Sequence, residues 1–117
     1  MLVNLTIAST VSSLFDNSKR LLKCEKIGEG FSMEHNISIR SATHTALSSN
    51  ATSAILVHNH PNGKAIPSRE DIYATNKFKM IFENLGITLM EHFIVSGDEC
   101  NPIMNYQKSN IFNLNKD

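Results

Sequence analysis

Residues 53–63 read Ser53-Ala54-Ile55-Leu56-Val57-His58-Asn59-His60-Pro61-Asn62-Gly63. An apolar run ends in two histidines one residue apart, and Pro61-Asn62-Gly63 then turns the chain sharply. Ser53 to His58 is short and apolar on both faces, the pattern of a strand in the middle of a sheet. On a strand, residues i and i+2 share a face, so His58 and His60 project together. Neutral imidazole is the commonest metal ligand, and two on one face supply half of a tetrahedral site. Alone the pair is a weak signal, because many such pairs are ordinary surface histidines.

Downstream lies Pro67-Ser68-Arg69-Glu70-Asp71, at the start of the clearest helix, Ser68 to Leu85. Ala74, Phe78, Ile81 and Leu85 recur there at helical spacing with Phe82 beside them, and Gly86 is the C-terminal stop. Ser68 reads as an N-cap, and Asp71, three residues on, suits the positive end of the helix. Capping does not account for the direction of Asp71. One helical interval back from Phe78 and Ala74 lies position 71, so its carboxylate falls on the inward stripe. A buried unpaired charge is costly, and a dication would supply the partner. Two histidines, one carboxylate and a water make up a catalytic rather than a structural zinc site.

Zinc lowers the pKa of its water toward ~7, so hydroxide is available near neutral pH. A hydrolase then needs a proton carrier and a donor for the developing oxyanion. Ser68, at the helix start, is a candidate donor. Glu25, Glu29, Glu34, Glu70 and Glu91 are all candidate bases, and the local pattern does not choose among them.

Around this centre, Leu2 to Ile7 suggests a first strand and Val11 to Phe15 a second. Asp16-Asn17-Ser18-Lys19 is turn chemistry, so Arg20 to Ile27 returns as a hairpin partner ended by Gly28-Glu29-Gly30. Ser32 to Ile39 reads as a loop, and Arg40 to Asn50 as a helix with Ala42, Ala46 and Leu47 inward. Ile87 to Val95 reads as a strand, Ser96-Gly97-Asp98 as a turn and Asn101 to Tyr106 as a last short strand. A polar tail follows. Helices interleaved with hairpin and crossover strands give an α/β or α+β domain.

The 117 residues fit one small domain with a single core. Lysine plus arginine equals aspartate plus glutamate, eleven of each, which argues against direct nucleic-acid binding. No apolar run is long enough to span a bilayer. The start, "MLVNLTIASTVSS", lacks a basic n-region and a clear cleavage site. Cys24 and Cys100 read as free thiols in a reducing cytoplasm rather than as a disulfide or a zinc site.

His58-x-His60, seven residues, then Ser68-x-x-Asp71 is the JAMM signature of the MPN-type metalloproteases. "ILVHNHPNGKAIPSREDI" followed by "LGITLMEHFIVSGD" more closely resembles the C-terminal domain of the bacterial RadC family, and "KRLLKCEKIGEG" aligns with that family's second strand. The resemblance covers Val11 to Tyr106, so residues 1–117 are expected to hold one such domain with its core at about 11–106. It implies a JAMM/MPN-type, cytidine deaminase-like fold: a curved mixed sheet with one helix on each side. It also implies one zinc ion per chain on His58, His60 and Asp71, Ser68 on the oxyanion side, and Glu25 holding and deprotonating the zinc water. Glu25 would share a strand face with Leu21, Lys23 and Ile27, turned toward the histidine strand.

There are departures from the family. Its N-terminal helix-hairpin-helix region has no counterpart here, Asn62 stands where "HPSG" has serine, and Ser12 and Ser13 fall in a strand that is usually more apolar. His92 matches a histidine common in the family, and between Met90 and Ile94 it reads as a satisfied core histidine. His35 and His44 read as loop and helix-surface residues. The leading expectation is a cytoplasmic zinc hydrolase cleaving an amide or isopeptide bond in a peptide or protein. The alternatives are an accessory factor in DNA repair or DNA metabolism, after the family's historical label, and a zinc-binding scaffold without turnover. Intact ligands argue against the scaffold.

Overall fold

The structure, a computed structural model, describes residues 8–30, 38–61 and 63–104. The expected strand at Leu2 to Ile7, His35, Glu34, nearly all of the Ser32 to Ile39 loop and the polar tail lie outside them.

β1 (Ser9–Phe15) and β2 (Leu21–Glu29) form the expected hairpin. Asp16 makes its turn: its carboxylate accepts from Ser18 N–H at 2.8 Å and Arg20 N–H at 2.9 Å, and Lys19 takes a left-handed φ of 63°. Helix α1 (Ile39–Ser48) follows, capped by Ser38, whose hydroxyl accepts from Ser41 N–H at 3.2 Å. At its other end Asn50 (φ 56°) takes the left-handed position usually held by glycine. Then come β3 (Ser53–Asn59), α2 (Arg69–Asn84), β4 (Thr88–Ser96) and β5 (Glu99–Pro102).

The five strands form one mixed sheet in the order β2-β1-β3-β4-β5, flanked by the two helices. β1 runs antiparallel to both β2 and β3, β3 is parallel to β4, and β4 is antiparallel to β5. The sheet is the α/β architecture expected from the sequence, and β3 lies at its centre. Parallel β3 and β4 require a crossover, and α2 is that crossover.

Both helices feed one apolar cluster. Ala42 and Ala46 of α1, and Ala74, Phe78 and Phe82 of α2, meet Leu14, Ala54, Leu56 and Leu89 of the sheet. Phe78 and Phe82 are fully buried with ring centroids 4.2 Å apart, and burying each contributes roughly 1.5–3 kcal/mol. The helix stops at Gly86 (φ 80°), where Gly86 N–H reaches Glu83 C=O at 3.1 Å and Ile87 N–H reaches Phe82 C=O at 2.9 Å.

Several details differ from the sequence reading. Leu85 is exposed and Ile81 half-buried, because the inward stripe of α2 runs Asp71, Ala74, Thr75, Phe78 and Phe82. Leu47 is exposed on α1. β2 continues past Ile27, since Gly28 pairs with Thr10 and Glu29 with Ser9. β5 starts at Glu99 and gives way to helical backbone at Ile103, because Cys100 and Asn101 pair directly with Val95 and Ile94 across the tight turn. Leu21 does not share a face with Glu25. A register irregularity pairs Lys23 with Leu14 but Leu21 with Phe15, and consecutive residues of β1 face opposite ways. No helix among the described residues is long and apolar enough to cross a membrane.

Candidate metal centre

The C-terminal end of β3, the loop after it and the first turn of α2 converge on one point. His58 sits in the ladder between Thr10 of β1 and Ile94 of β4, and is 1% exposed. His60 lies just beyond the strand. Its N–H donates to Val95 C=O at 2.8 Å, and its own carbonyl accepts from the Ser96 hydroxyl at 2.7 Å. That hydroxyl also lies 2.6 Å from Gly63 C=O, and Asn101 Nδ2 donates to Ala65 C=O at 2.7 Å. The β4–β5 hairpin therefore fastens the loop at both ends before it enters α2.

Ser68 caps α2 with a reciprocal pair of bonds. Asp71 N–H donates to Ser68 Oγ at 3.0 Å, and Ser68 N–H donates to Asp71 Oδ2 at 2.9 Å. The cap and the inward direction of Asp71 are therefore both realised: the residue is 1% exposed on the buried stripe of the helix.

The protons on the histidines follow from their outer nitrogens. His58 Nδ1 lies 3.1 Å from Ser9 C=O and 2.9 Å from Thr10 Oγ1. A carbonyl can only accept, so Nδ1 carries the proton and Nε2 keeps its lone pair. His60 Nδ1 lies 3.1 Å from Lys64 C=O, which fixes the same tautomer. Both Nε2 atoms face one carboxylate, His58 at 3.5 Å from Asp71 Oδ1 and His60 at 3.0 Å from Asp71 Oδ2. With neutral rings these are lone pairs directed at lone pairs.

Something positive must sit among them, either a proton or a cation. Among the described residues His58 Nε2 is buried with no hydrogen-bond partner, which suits a metal-ligating atom. The ligand atoms of His58, His60 and Asp71 all lie within 4.8 Å of one another, so the three are positioned to bind a metal ion. Ring nitrogens oriented by hydrogen bonds from the opposite side are characteristic of metal-binding histidines.

Without a cation the protons settle unevenly. The hydrogen bond to Asp71 raises the pKa of His60 against the opposing effect of burial, with the Lys64 carbonyl and the Asp71 charge adding to the rise. Burial lowers the pKa of His58, and the charge on Asp71 only partly restores it. For Asp71 burial acts upward as the largest single influence. The His60 hydrogen bond, the Ser68 N–H and the two imidazoles together outweigh it, so its pKa is lowered. The raised pKa of His60 and the lowered pKa of Asp71 together put the exchangeable proton on His60 rather than on the carboxyl.

The other residues singled out from the sequence lie around this point. Glu25 is half-buried on β2. It pairs with Ser12, which pairs with Leu56, two residues before His58, so Glu25 lies on the histidine face with β1 between the two strands. Among the described residues no hydrogen bond or ion pair joins Glu25 to the three ligands. Glu29 pairs with Lys26, Glu70 is exposed, and Glu91 Oε1 accepts from the N–H groups of His92 and Met104. His44 is exposed on α1. Cys24 and Cys100 are free and exposed on β2 and β5, opposite edges of the sheet, too far apart in strand order to bridge.

His92 is 0% exposed and only half satisfied: Nδ1 meets Thr75 Oγ1 at 2.6 Å, while Nε2 has no partner among the described residues. Ser9, Thr10, Thr75 and Ser96 were not picked out by sequence reasoning. The one available signal was the polar run Ser9-Thr10-Val11-Ser12-Ser13 in a strand that folds into the centre of the sheet.

A family model described as a RadC-like JAB domain matches residues 4–108. A UPF0758 protein of Finegoldia magna is 35% identical over 86 residues, 74% of this chain and 39% of that protein. A UPF0758 protein of Streptococcus gordonii is 49% identical over 59 residues, 50% of this chain and 26% of that protein. One of Streptococcus thermophilus is 39% identical over 85 residues, 73% and 37% of the two chains. This chain therefore spans less than two fifths of the length of these curated relatives. The matched span contains the whole sheet, both helices and the three converging ligands, and the chain belongs to the RadC-like JAB domain family.

Proposed function

We propose that this chain is a zinc-dependent hydrolase that cleaves an amide or isopeptide bond in a peptide or protein substrate in the cytoplasm. The observation that carries this reading is the inward convergence of three lone-pair donors, His58 Nε2, His60 Nε2 and Asp71, with both Nδ1 protons committed to backbone carbonyls. Two imidazoles and one carboxylate match zinc in donor type and leave a coordination position open, as in catalytic rather than structural sites. When bound, the ion supplies Lewis acidity and lowers the pKa of water from about 15.7 toward ~7.

The chain's own groups do the rest. Glu25 takes a proton from the attacking water and passes it to the leaving amine. Ser68 accepts from Asp71 N–H, so its own hydroxyl proton is free to meet the developing oxyanion at the start of α2, where the helix dipole also favours negative charge. The even charge balance suits a protein substrate better than a polyanion.

Elemental analysis of the purified protein, alongside His58→Ala and Asp71→Ala, tests the metal. About one zinc per parent chain and a loss of more than ~100-fold in affinity in each variant are expected, since removing a ligand exceeds the 10–100-fold cost of an outer-shell change. Variants that retain as much zinc as the parent overturn the ligand assignment. A peptidase and isopeptidase screen with a chelated control tests the reaction.

A further inference from the structure

His92 is a fully buried histidine for which the proposed reaction has no use. It stands on β4 beside Leu56 of β3, so it lies on the same sheet face as His58, with ring centroids 6.3 Å apart. Its polar neighbour is Thr75, one turn along α2 from Asp71. Thr75 Oγ1 lies 2.6 Å from Asp71 C=O and 2.6 Å from His92 Nδ1, and all three residues are 1% exposed or less.

The hydroxyl has one proton. A carbonyl oxygen 2.6 Å away cannot donate, so that proton belongs to the bond with Asp71. Toward His92 the hydroxyl can only accept, so Nδ1 carries a hydrogen. Burial, the largest influence, with His58 and His60 acting in the same sense, lowers the pKa of His92 to about 3. The ring is therefore neutral, and among the described residues its Nε2 is an acceptor without a partner.

A buried acceptor left without a hydrogen bond is destabilising, and an apolar residue of the same size would avoid that cost. The gain is in placement. The Asp71 backbone is held at its N–H by Ser68 and at its C=O by Thr75, and only the second bond continues through His92 to the sheet that carries His58.

We propose that His92 is a positioning residue for the metal centre: its Nδ1–H holds Thr75, which fixes Asp71 on α2 against the two histidines of the β3 end. This rests on the metal reading above. The test is zinc affinity measured by competition with a chelator, together with melting of the metal-free proteins. Thr75→Val keeps the shape and loses the relay, and is expected to bind zinc about 10–100-fold more weakly, while Thr75→Ser stays close to the parent. His92→Asn retains a donor where Nδ1 stands and is expected to hold zinc better than His92→Gln, whose amide lies further out, although both melt earlier than the parent. A merely structural histidine would make affinity follow melting temperature through the whole series.

Nitrogen chemical shifts of the metal-free protein read the tautomer directly, and a proton on His92 Nε2 rather than Nδ1 overturns the relay. If the parent binds zinc and Thr75→Val and His92→Gln match it, the positioning role is wrong and the metal reading stands. If the parent takes up no metal, both fall. Should His92→Gln fail to fold, the Val and Ser variants of Thr75 decide alone.

Discussion

The β3–α2 corner and the β2 edge lie on one sheet but are built on different terms. At the corner His58 and Asp71 are buried and His60 is half-buried, and backbone groups orient all three: Ser9 and Lys64 carbonyls set the two imidazoles, and Ser68 N–H sets Asp71. At the edge, Leu21, Leu22, Lys23, Cys24 and Lys26 are all exposed, and half-buried Glu25 is separated from the histidine strand by β1. The corner's side chains are oriented by its own backbone. The edge supplies one carboxylate whose value depends on how it reaches across. Affinity for the metal should therefore be decided by the corner, and turnover by the edge.

Glu25→Gln gives this contrast its largest expected effect. Glutamine keeps the length of the side chain and a hydrogen-bonding oxygen, but cannot take up a proton at neutral pH. If Glu25 is the base, turnover of any substrate cleaved by the parent falls about 10²–10⁴-fold, while zinc content and melting temperature stay at parental values. A fully active variant would move the base role to another group. A variant that loses its zinc would make the edge part of the metal site, and the division between the two regions would fail.

The pH dependence of metal binding probes the corner alone. His60 holds the proton that a metal must displace, because Asp71 raises its pKa above the ordinary value of about 6.5. Below that raised value zinc affinity should fall about tenfold per pH unit, and above it the curve should flatten. The metal-free protein behaves oppositely at this residue. A raised folded pKa contributes stability that is complete below about 6.5 and is lost as pH rises through the folded value. Chelator competition across this range, with melting curves of the metal-free protein, reads both limbs. In Asp71→Asn the raised pKa of His60 should vanish with the carboxylate that causes it.

The corner was legible in the sequence because it is local. His58 and His60 follow from the period of one strand, and the inward direction of Asp71 follows from Phe78 and Ala74 on the same helix. The edge was not legible, because a face assignment there depends on register. The ladder pairs Lys23 with Leu14 but Leu21 with Phe15, and simple alternation along β2 does not anticipate that slip. Thr10 beside His58, and Thr75 beside His92, depend on which strands become neighbours, and residues 48 and 17 positions apart carry no periodic signal. The same limit explains Leu85, an apolar residue left exposed while Phe82 fills the core. The role of Glu25 came from the family resemblance; the sheet puts the residue on the histidine face without joining it to the three residues there.

The smallest expected effect lies at Ser68, where the corner carries both a structural and a chemical assignment. Its oxygen caps α2 by accepting from Asp71 N–H, and its hydroxyl proton is the one assigned to the oxyanion. Alanine and glycine both remove the hydroxyl, but they differ as caps. Ser68→Ala should cost about 1 kcal/mol of stability and Ser68→Gly only a few tenths, because glycine is tolerated at an N-cap and alanine is not. Neither removes the bond from the residue 68 backbone N–H to Asp71 Oδ2, so zinc affinity should change little in both. If Ser68 donates to the oxyanion, the two variants lose the same factor in turnover despite their different melting temperatures. If the loss of turnover instead follows stability, with the glycine variant nearly as active as the parent, Ser68 is a cap alone and the oxyanion donor lies elsewhere.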